Sequence, residues 1–450
     1  LSALSRVELY RGFGRLALGV LAKLPSSADW VSRREIPLVK EAPIFWKAPA
    51  RDSLAGIVRR SGTFASEGQK LCWFHAASAG ELEALWPVIA RWMEDSGRAA
   101  VVSILSDSAR KALLKLETEL RSLGRPLQGV AFSPLEGHWR EALARVKPDL
   151  FVSFKYEAWP DLWASLSELR IPLALVGARE RTSLRFAREA LKVMGGELPR
   201  MALLSSTQEE LERLRPSFPA AEIIECTGEP RWDRVAARAR SGSERAKELI
   251  VAASGAPRPW GVLGSAWLDD LKMLSEQLTD AAGRLWVVPH DVQPASVAAF
   301  EVELSKLGLR PTRTSRISAV DPLPKGCFLV DEMGVLAELY SAMDWVYVGG
   351  GFTQGVHSTI EPALYGLPIL VGPKNADRFP EIAELERSGQ LQIARSAEGL
   401  ARAWAEVQEQ ALTGRNRERW RAEAQARLGA SERVIGHLLK LLKLCEPVVS

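Results

Sequence analysis

Residues 71–76 are apolar except for His75, and the run is short enough to read as a buried strand. Residues 77–80 are all small, so the backbone can turn sharply there and leave room for something to approach it. From Glu81 the apolar residues fall at Leu82, Leu85, Trp86 and Ile89, the spacing of an amphipathic helix. The stretch is strand, tight loop, helix, with a carboxylate at the helix mouth. In open α/β sheets, ligands sit in the crevice outside the carboxyl ends of strands.

The same alternation continues. Strands are predicted over 99–105, 129–132, 150–154, 171–176, 201–205 and 222–227, with helices over 107–121, 139–146, 160–169 and 184–194. A charged, Ala-rich helical stretch at 233–254 and a turn at 255–259 break the series. A second series follows, with strands at 260–264, 285–289, 328–330, 345–348, 368–371 and 390–393 and a helical tail over 401–444. Strands separated by helices of this length imply βαβ units and a parallel sheet. The expected fold is α/β, with two Rossmann-like domains (31–232 and 260–450, the tail included) facing a central cleft and joined by a linker at 233–259.

Residues 1–30 form a segment of their own. Val7, Leu9, Tyr10, Phe13, Leu16, Leu18, Val20 and Leu21 alternate with Arg6, Arg11, Arg15 and Lys23, the pattern of a basic amphipathic helix. Its longest apolar run, 16–22, is far too short to span a bilayer. Such a helix either lies on an anionic membrane surface or packs on its own domain.

Composition narrows the classes. A chain of 450 residues has room for two or three domains, and 47% hydrophobic with 25% charged residues is ordinary for a soluble globular protein. A net charge of +4 is small for this length and makes no case for nucleic acid as a partner. Cys72, Cys226, Cys327 and Cys445 are far apart, which fits a reducing compartment without a disulfide framework. The five histidines are equally scattered, so no metal site is expected. Ser133 and Ser153 end strands and show no partner histidine in a triad pattern, against a hydrolase triad.

Two segments carry candidate chemistry. Ser78 and Glu81 stand in the S-x-x-E relation of a capping box, in which each side chain satisfies a backbone N–H of the other. The competing reading makes Glu81 a general base, a carboxylate on a small-residue loop placed to take a proton from a bound hydroxyl. The second segment, 347–373, runs from a strand through Gly349, Gly350 and Gly351 to a helix expected near Ser358, where Ser358 and Glu361 repeat the S-x-x-E relation. Glycines before an exposed helix N-terminus suit phosphate. The whole array is what many nucleotide-sugar transferases use for the donor, with the carboxylate holding ribose hydroxyls.

The chain resembles the bacterial Kdo transferases, which move 3-deoxy-manno-octulosonic acid from CMP-Kdo to the lipid A precursor. The resemblance runs from Leu71 to Ile382. It rests on His75-Ala-Ala-Ser-Ala-Gly-Glu81, Glu157-Ala-Trp-Pro160, Ala178-Arg179, Gly228-Glu-Pro-Arg-Trp-Asp233, Gly264-Ser265, Asp331-Glu-Met-Gly334, Val348-Gly-Gly350, His357 through Pro362, and Gly372-Pro373 ahead of Phe379-Pro-Glu-Ile382, in matching order and spacing. It implies an inverting, metal-independent transferase of the GT-B type, with Glu81 as base and Glu157 and Arg231 stabilising the transition state. It implies CMP bound at Pro289, His290, Met333, Gly334, Val335, Gly349, Gly350, Ser358, Thr359, Ile360 and Glu361, and an acceptor side at Ser78, Gly80 and Arg179. No cofactor is implied beyond CMP-Kdo as donor. The implied partners are a lipid A precursor and a membrane surface, at the cytoplasmic face of the inner membrane.

The chain departs from the family pattern at several of these positions. Ser358 stands for an asparagine, His290 for an arginine, and Asp291-Val-Gln293 for the His-Pro-Glu that follows it. Lys155 stands for an acidic residue, Gly177 for an asparagine, and Ala266-Trp267-Leu268 for Thr-His-Glu. A neutral histidine is a poor substitute for arginine as a fixed cation. Two alternatives follow: a catalytically silent relative that binds a lipid or partner, and a GT-B transferase using another nucleotide sugar.

Overall fold

In β1 (Lys70–Ala76) every residue after Lys70 is buried, and successive side chains enter two different cores. Cys72, Phe74 and Ala76 pack on one face of the sheet, Leu71 and Trp73 on the other. A strand apolar on both sides needs helices on both sides, which is the condition of a parallel sheet. A fully buried side chain such as Phe74 contributes roughly 1.5–3 kcal/mol of transfer free energy. The computed structural model describes residues 65–134, 137–155, 157–278, 284–317 and 326–446. The amphipathic segment expected within 1–30 lies outside them. Among the described residues no helix is long and apolar enough to cross a membrane.

The chain divides into two units, one running to Arg234 and resuming at Gly429, the other Val235–Leu428. The first alternates β1, α1 (Ala79–Trp92), β2 (Arg98–Ile104), α2 (Arg110–Ser122), β3 (Gly129–Phe132), α3 (Trp139–Val146), β4 (Leu150–Phe154), α4 (Pro160–Glu168), β5 (Leu173–Val176), α5 (Thr182–Met194), β6 (Met201–Ser205), α6 (Gln208–Ser217) and β7 (Ile223–Cys226). Its sheet is wholly parallel in the order β3-β2-β1-β4-β5-β6-β7. That is the doubly wound order, and it reverses between β1 and β4.

The expected linker is helical: α7 (Arg231–Ser241) is followed by α8 (Glu244–Ala252), which Ser243 caps by accepting the Ala246 N–H. The division between units falls inside α7, at Arg234. The second unit holds β8 (Gly261–Ala266), α9 (Leu268–Met273), α10 (Ser275–Leu278), β9 (Leu285–Pro289), α11 (Pro294–Lys306), β10 (Pro311–Arg313), β11 (Cys327–Leu329), α12 (Leu336–Leu339), β12 (Trp345–Val348), α13 (Ile360–Leu364), β13 (Ile369–Val371), α14 (Pro380–Arg387), β14 (Leu391–Ile393), α15 (Ala397–Thr413) and α16 (Arg417–Ala426). Its sheet is also parallel, in the order β10-β11-β9-β8-β12-β13-β14, reversing between β8 and β12. β10 carries no apolar pattern: it is a three-residue edge strand, Pro-Thr-Arg.

The last helix departs from the expected tail of the second domain. α17 (Ala430–Cys445) belongs to the first unit and packs on α1 and β6. Its buried residues Val434, Ile435, Leu438, Leu441 and Leu442 complete one of the two cores around β1. The start of α17 is tied down by Asp233, whose carboxylate accepts the Gly429 N–H at 2.7 Å, the Ser431 N–H at 2.7 Å and the Ser431 hydroxyl at 2.6 Å. A carboxylate there satisfies open N–H groups and complements the helix dipole. Asp233→Ala is therefore expected to destabilise the first unit by about 2 kcal/mol, the worth of a charge-assisted hydrogen-bond cluster. Urea unfolding followed by tryptophan fluorescence checks it; an unchanged midpoint means that apolar packing alone holds α17.

Candidate functional site

Where neighbouring parallel strands run on in opposite directions, their following loops part and leave a crevice. In the first unit those strands are β1 and β4, and both predicted carboxylates come from the segments that follow them: Glu81 from the first turn of α1, Glu157 from the loop after β4. After β1, Ser78 has the extended backbone of an N-cap, but its side chain makes no capping bond. Glu81 reaches back past it and accepts the Ala77 N–H at 2.6 Å. The reciprocal box expected from Ser78 and Glu81 does not form. A Cβ on Gly80 would meet nothing within 4 Å, so the loop is open on that side.

After β4 the chain passes through Lys155 at φ 60°, a left-handed conformation uncommon for a residue with a side chain. Glu157 follows, mostly buried, and accepts the Trp159 indole N–H at 2.8 Å. His75, at the end of β1, places Nε2 3.6 Å from the same carboxylate oxygen. Beyond β7, Glu229 is 8% exposed and is bound by Arg231, whose Nε lies 3.2 Å and Nη2 3.3 Å from its two oxygens.

These acids occupy unequal electrostatic surroundings. Burial pushes the Glu81 carboxyl up, and repulsion from Glu157 adds to this against the Ala77 N–H, His75 and Lys155. Burial would also raise Glu157, but His75 and Trp159 outweigh it and hold the carboxyl below the usual range. Glu229 is likewise held down against its burial, by Arg231 first and then Lys155. Two neighbouring carboxyls pushed apart in this way form an acid–base pair with distinct roles. Glu81 is the one that takes up a proton more readily, and Glu157 the one that stays ionised.

The second unit builds its edge differently. Asp270, in the first turn of α9, is fully buried and accepts the Tyr347 hydroxyl at 2.6 Å, the Gly350 N–H at 2.9 Å and the Trp267 N–H at 2.8 Å. Burial still raises its carboxyl, with the three donors working against it. The glycine loop is packed rather than open: a Cβ at Gly349 would come 2.4 Å from Ser265 O, and one at Gly351 2.4 Å from Gly372 N. The glycines admit neighbouring backbone, whereas the expectation was room for phosphate.

A ring cluster covers this loop. Trp267 Nε1 donates to His357 Nε2 at 3.0 Å with the ring planes 15° apart, so the two lie nearly edge to edge. Exposed His290 stacks over both, at 4.6 Å from Trp267 and 4.4 Å from His357. Burial, helped by His290, pushes His357 down to about 4, so it is a neutral ring whose proton sits on Nδ1.

The other predicted donor residues lie at or near the carboxyl ends of the same strands. Pro289 ends β9, and Met333 and Gly334 lie on an exposed turn ahead of buried Val335, the residue before α12. The helix expected at Ser358 starts at Ile360 and spans only five residues, with Thr359 as its N-cap and Ser358 exposed outside it. Glu361 therefore makes no capping box; its carboxylate lies 3.8 Å from Arg238. Among the described residues the buried Thr359 hydroxyl has no hydrogen-bond partner. On the predicted acceptor side, Arg179 is held by Glu210, with Nε and Nη2 each 3.0 Å from one carboxylate oxygen. Among the described residues no group of three or more His, Cys, Asp or Glu side chains is placed to hold a metal ion.

Glu81→Gln separates the cost of burying this charge from its chemistry. The amide oxygen still accepts the Ala77 N–H, while the repulsion from Glu157 disappears. A carboxyl raised in the folded state costs stability above its folded pKa, and that cost fades as pH falls toward the ordinary value of 4.5. The variant is expected to have a higher Tm than wild type at pH 7, with the gain lost near pH 4. A Tm lowered at pH 7 by differential scanning fluorimetry contradicts this electrostatic assignment.

Comparisons with known proteins bear on the family and the fold. A family model described as 3-deoxy-D-manno-octulosonic-acid transferase matches residues 55–234. The 3-deoxy-D-manno-octulosonic acid transferase of Bordetella pertussis is 29% identical over 81% of this chain and 83% of its own length. That of Aquifex aeolicus is 25% identical over 72% of this chain and 84% of its own. Among solved structures, MurG from Acinetobacter baumannii superposes with a TM-score of 0.51 at 15% identity, over 82% of this chain and 99% of that one, a likeness of fold. With two parallel-sheet units of the GT-B type and sequence relatives along most of its length, the chain is similar to the 3-deoxy-D-manno-octulosonic-acid transferases, most specifically over residues 55–234.

Proposed function

We propose that the chain is an inverting, metal-independent transferase moving Kdo from CMP-Kdo to a hydroxyl of a lipid A precursor at the cytoplasmic face of the inner membrane. The observation that carries this reading is the Glu81–Glu157 pair, two carboxyls at the carboxyl edge of one sheet whose surroundings push them in opposite directions. In the reaction the anomeric C–O bond to the CMP phosphate breaks and a C–O bond to the acceptor oxygen forms on the opposite face of the sugar. The acceptor proton goes to Glu81, whose raised carboxyl is a stronger base than an ordinary glutamate. Ionised Glu157 stabilises the oxocarbenium-like charge, and the Arg231 guanidinium stabilises the departing phosphate.

The Trp267–His290–His357 cluster is the one observation that favours a different nucleotide sugar, since rings stand where a fixed cation is expected. Purified full-length chain is incubated with isotope-labelled CMP-Kdo and a tetraacyl lipid A acceptor, with UDP-sugars in parallel, and products are read by mass spectrometry. Labelled Kdo on the acceptor is the expected outcome, with Glu81→Gln slower on the order of a hundredfold or more. Transfer from a UDP-sugar alone replaces the donor assignment, and no transfer from any donor sinks the enzymatic reading.

A further inference from the structure

His75 has a task that its burial does not explain. It is 1% exposed, in a strand otherwise apolar after Lys70. Across the β1–β2 ladder its register partner is Ser103, and His75 Nδ1 lies 3.0 Å from Ser103 Oγ. The same oxygen accepts the Trp73 indole N–H at 2.8 Å. An indole nitrogen only donates, so that side of the hydroxyl is committed as acceptor. Among the described residues the recorded acceptor within reach of the Ser103 proton is His75 Nδ1. A ring that accepts at Nδ1 carries its own proton on Nε2.

Among the described residues that Nε2 has no hydrogen-bond partner, and it lies 3.6 Å from Glu157 Oε2. The separation exceeds a hydrogen bond, but catalytic contacts are often long in the unliganded protein and tighten when substrate binds. Trp139, edge-on at 5.7 Å, and Phe151, at 6.2 Å, fix the plane of the imidazole.

We propose that His75 is a positioning residue: the chain Trp73–Ser103–His75 selects one tautomer and aims its Nε2–H at Glu157. The assignment rests on reading Glu81 and Glu157 as the working carboxylates, and it adds the reason that they differ. The charged groups near this pair are Glu81 from α1, which Glu157 repels, and Lys155 just after β4, which acts on Glu81. Among the described residues the other recorded neighbours of His75 are neutral: Ser103 on β2, Ser153 on β4, and the rings of Trp139 and Phe151. His75 is also the largest influence opposing burial at Glu157.

The test is a titration of glutamate side chains by ¹³C NMR in the full chain, with Glu81 and Glu157 assigned by substitution. His75→Phe keeps a ring between Trp139 and Phe151 and removes both nitrogens. His75→Gln restores an N–H donor of similar reach. The Glu157 midpoint is expected to move up in His75→Phe and to stay near wild type in His75→Gln. Turnover of His75→Phe should fall on the order of tenfold to a hundredfold with KM unchanged, the mark of a misplaced group that binds no substrate. An identical Glu157 midpoint in wild type and His75→Phe overturns the proposal, as does an equal displacement in His75→Gln, which would assign the effect to packing. If His75→Phe does not fold, Ser103→Ala carries the test: loss of the Nδ1 donor should move Glu157 in the same direction, and an unmoved midpoint refutes the relay. The titration needs no substrate, so a wild-type protein inactive on CMP-Kdo removes the proposed reaction without touching this result.

Discussion

A parallel strand with an apolar neighbour on each face can present polar chemistry only where the strand stops. That constraint governs both units. β1 and β8 are central strands buried by helices, and the backbone that leaves their carboxyl ends is the first that is free to carry carboxylates, rings and turns. Non-glycine residues in the left-handed region mark both places, Lys155 at the end of β4 and Ser265 near the end of β8. Such conformations persist only where surrounding structure enforces them. At Ser265 the enforcement is visible, since its carbonyl oxygen sits where a side chain on Gly349 would have to go.

The two edges solve different electrostatic problems. In the first unit, several acids share a small region, and each is given its own partner: Ala77 N–H for Glu81, His75 and Trp159 for Glu157, Arg231 for Glu229. The partners differ in strength, so the carboxyls separate instead of titrating together. In the second unit buried Asp270 ties the Trp267 backbone, the Tyr347 side chain and the Gly350 backbone into one corner. The ring cluster then rests on that corner, because Trp267 is held at its own N–H by Asp270 and holds His357 through its indole.

Much of this was legible from residue pattern. The strand–loop–helix at 70–92, the alternation of strands and helices and the two-unit organisation follow from apolar spacing, because spacing reports which faces are buried. Boundaries shifted where propensity gave way to turns. The helix expected from 107 begins as a short 3₁₀ turn capped by Ser106, with α2 starting at Arg110. The helix expected at Ser358 begins two residues later. β10 escaped because three edge residues, Pro-Thr-Arg, carry no apolar period. The motif residues Glu81, Glu157 and Arg231 were visible as letters, while Asp270 and the pairing of Trp267 with His357 had no local signal.

By itself the sequence determined the fold class, the order of its elements and the small-residue loop ahead of Glu81, since these depend on side-chain size and hydrophobic period along the chain. Tertiary structure alone decided what each of these groups meets. It decided that α17 returns to the first unit under Asp233, that Arg179 belongs to Glu210, and that the glycines at 349–351 are filled by backbone. It decided as well that Glu81 stands in a site that raises its carboxyl and Glu157 in one that lowers it. The reason is the same in each case: a pairing energy or a pKa belongs to groups brought together from distant positions, 28 residues apart for His75 and Ser103 and 90 for Trp267 and His357, and no local period encodes them.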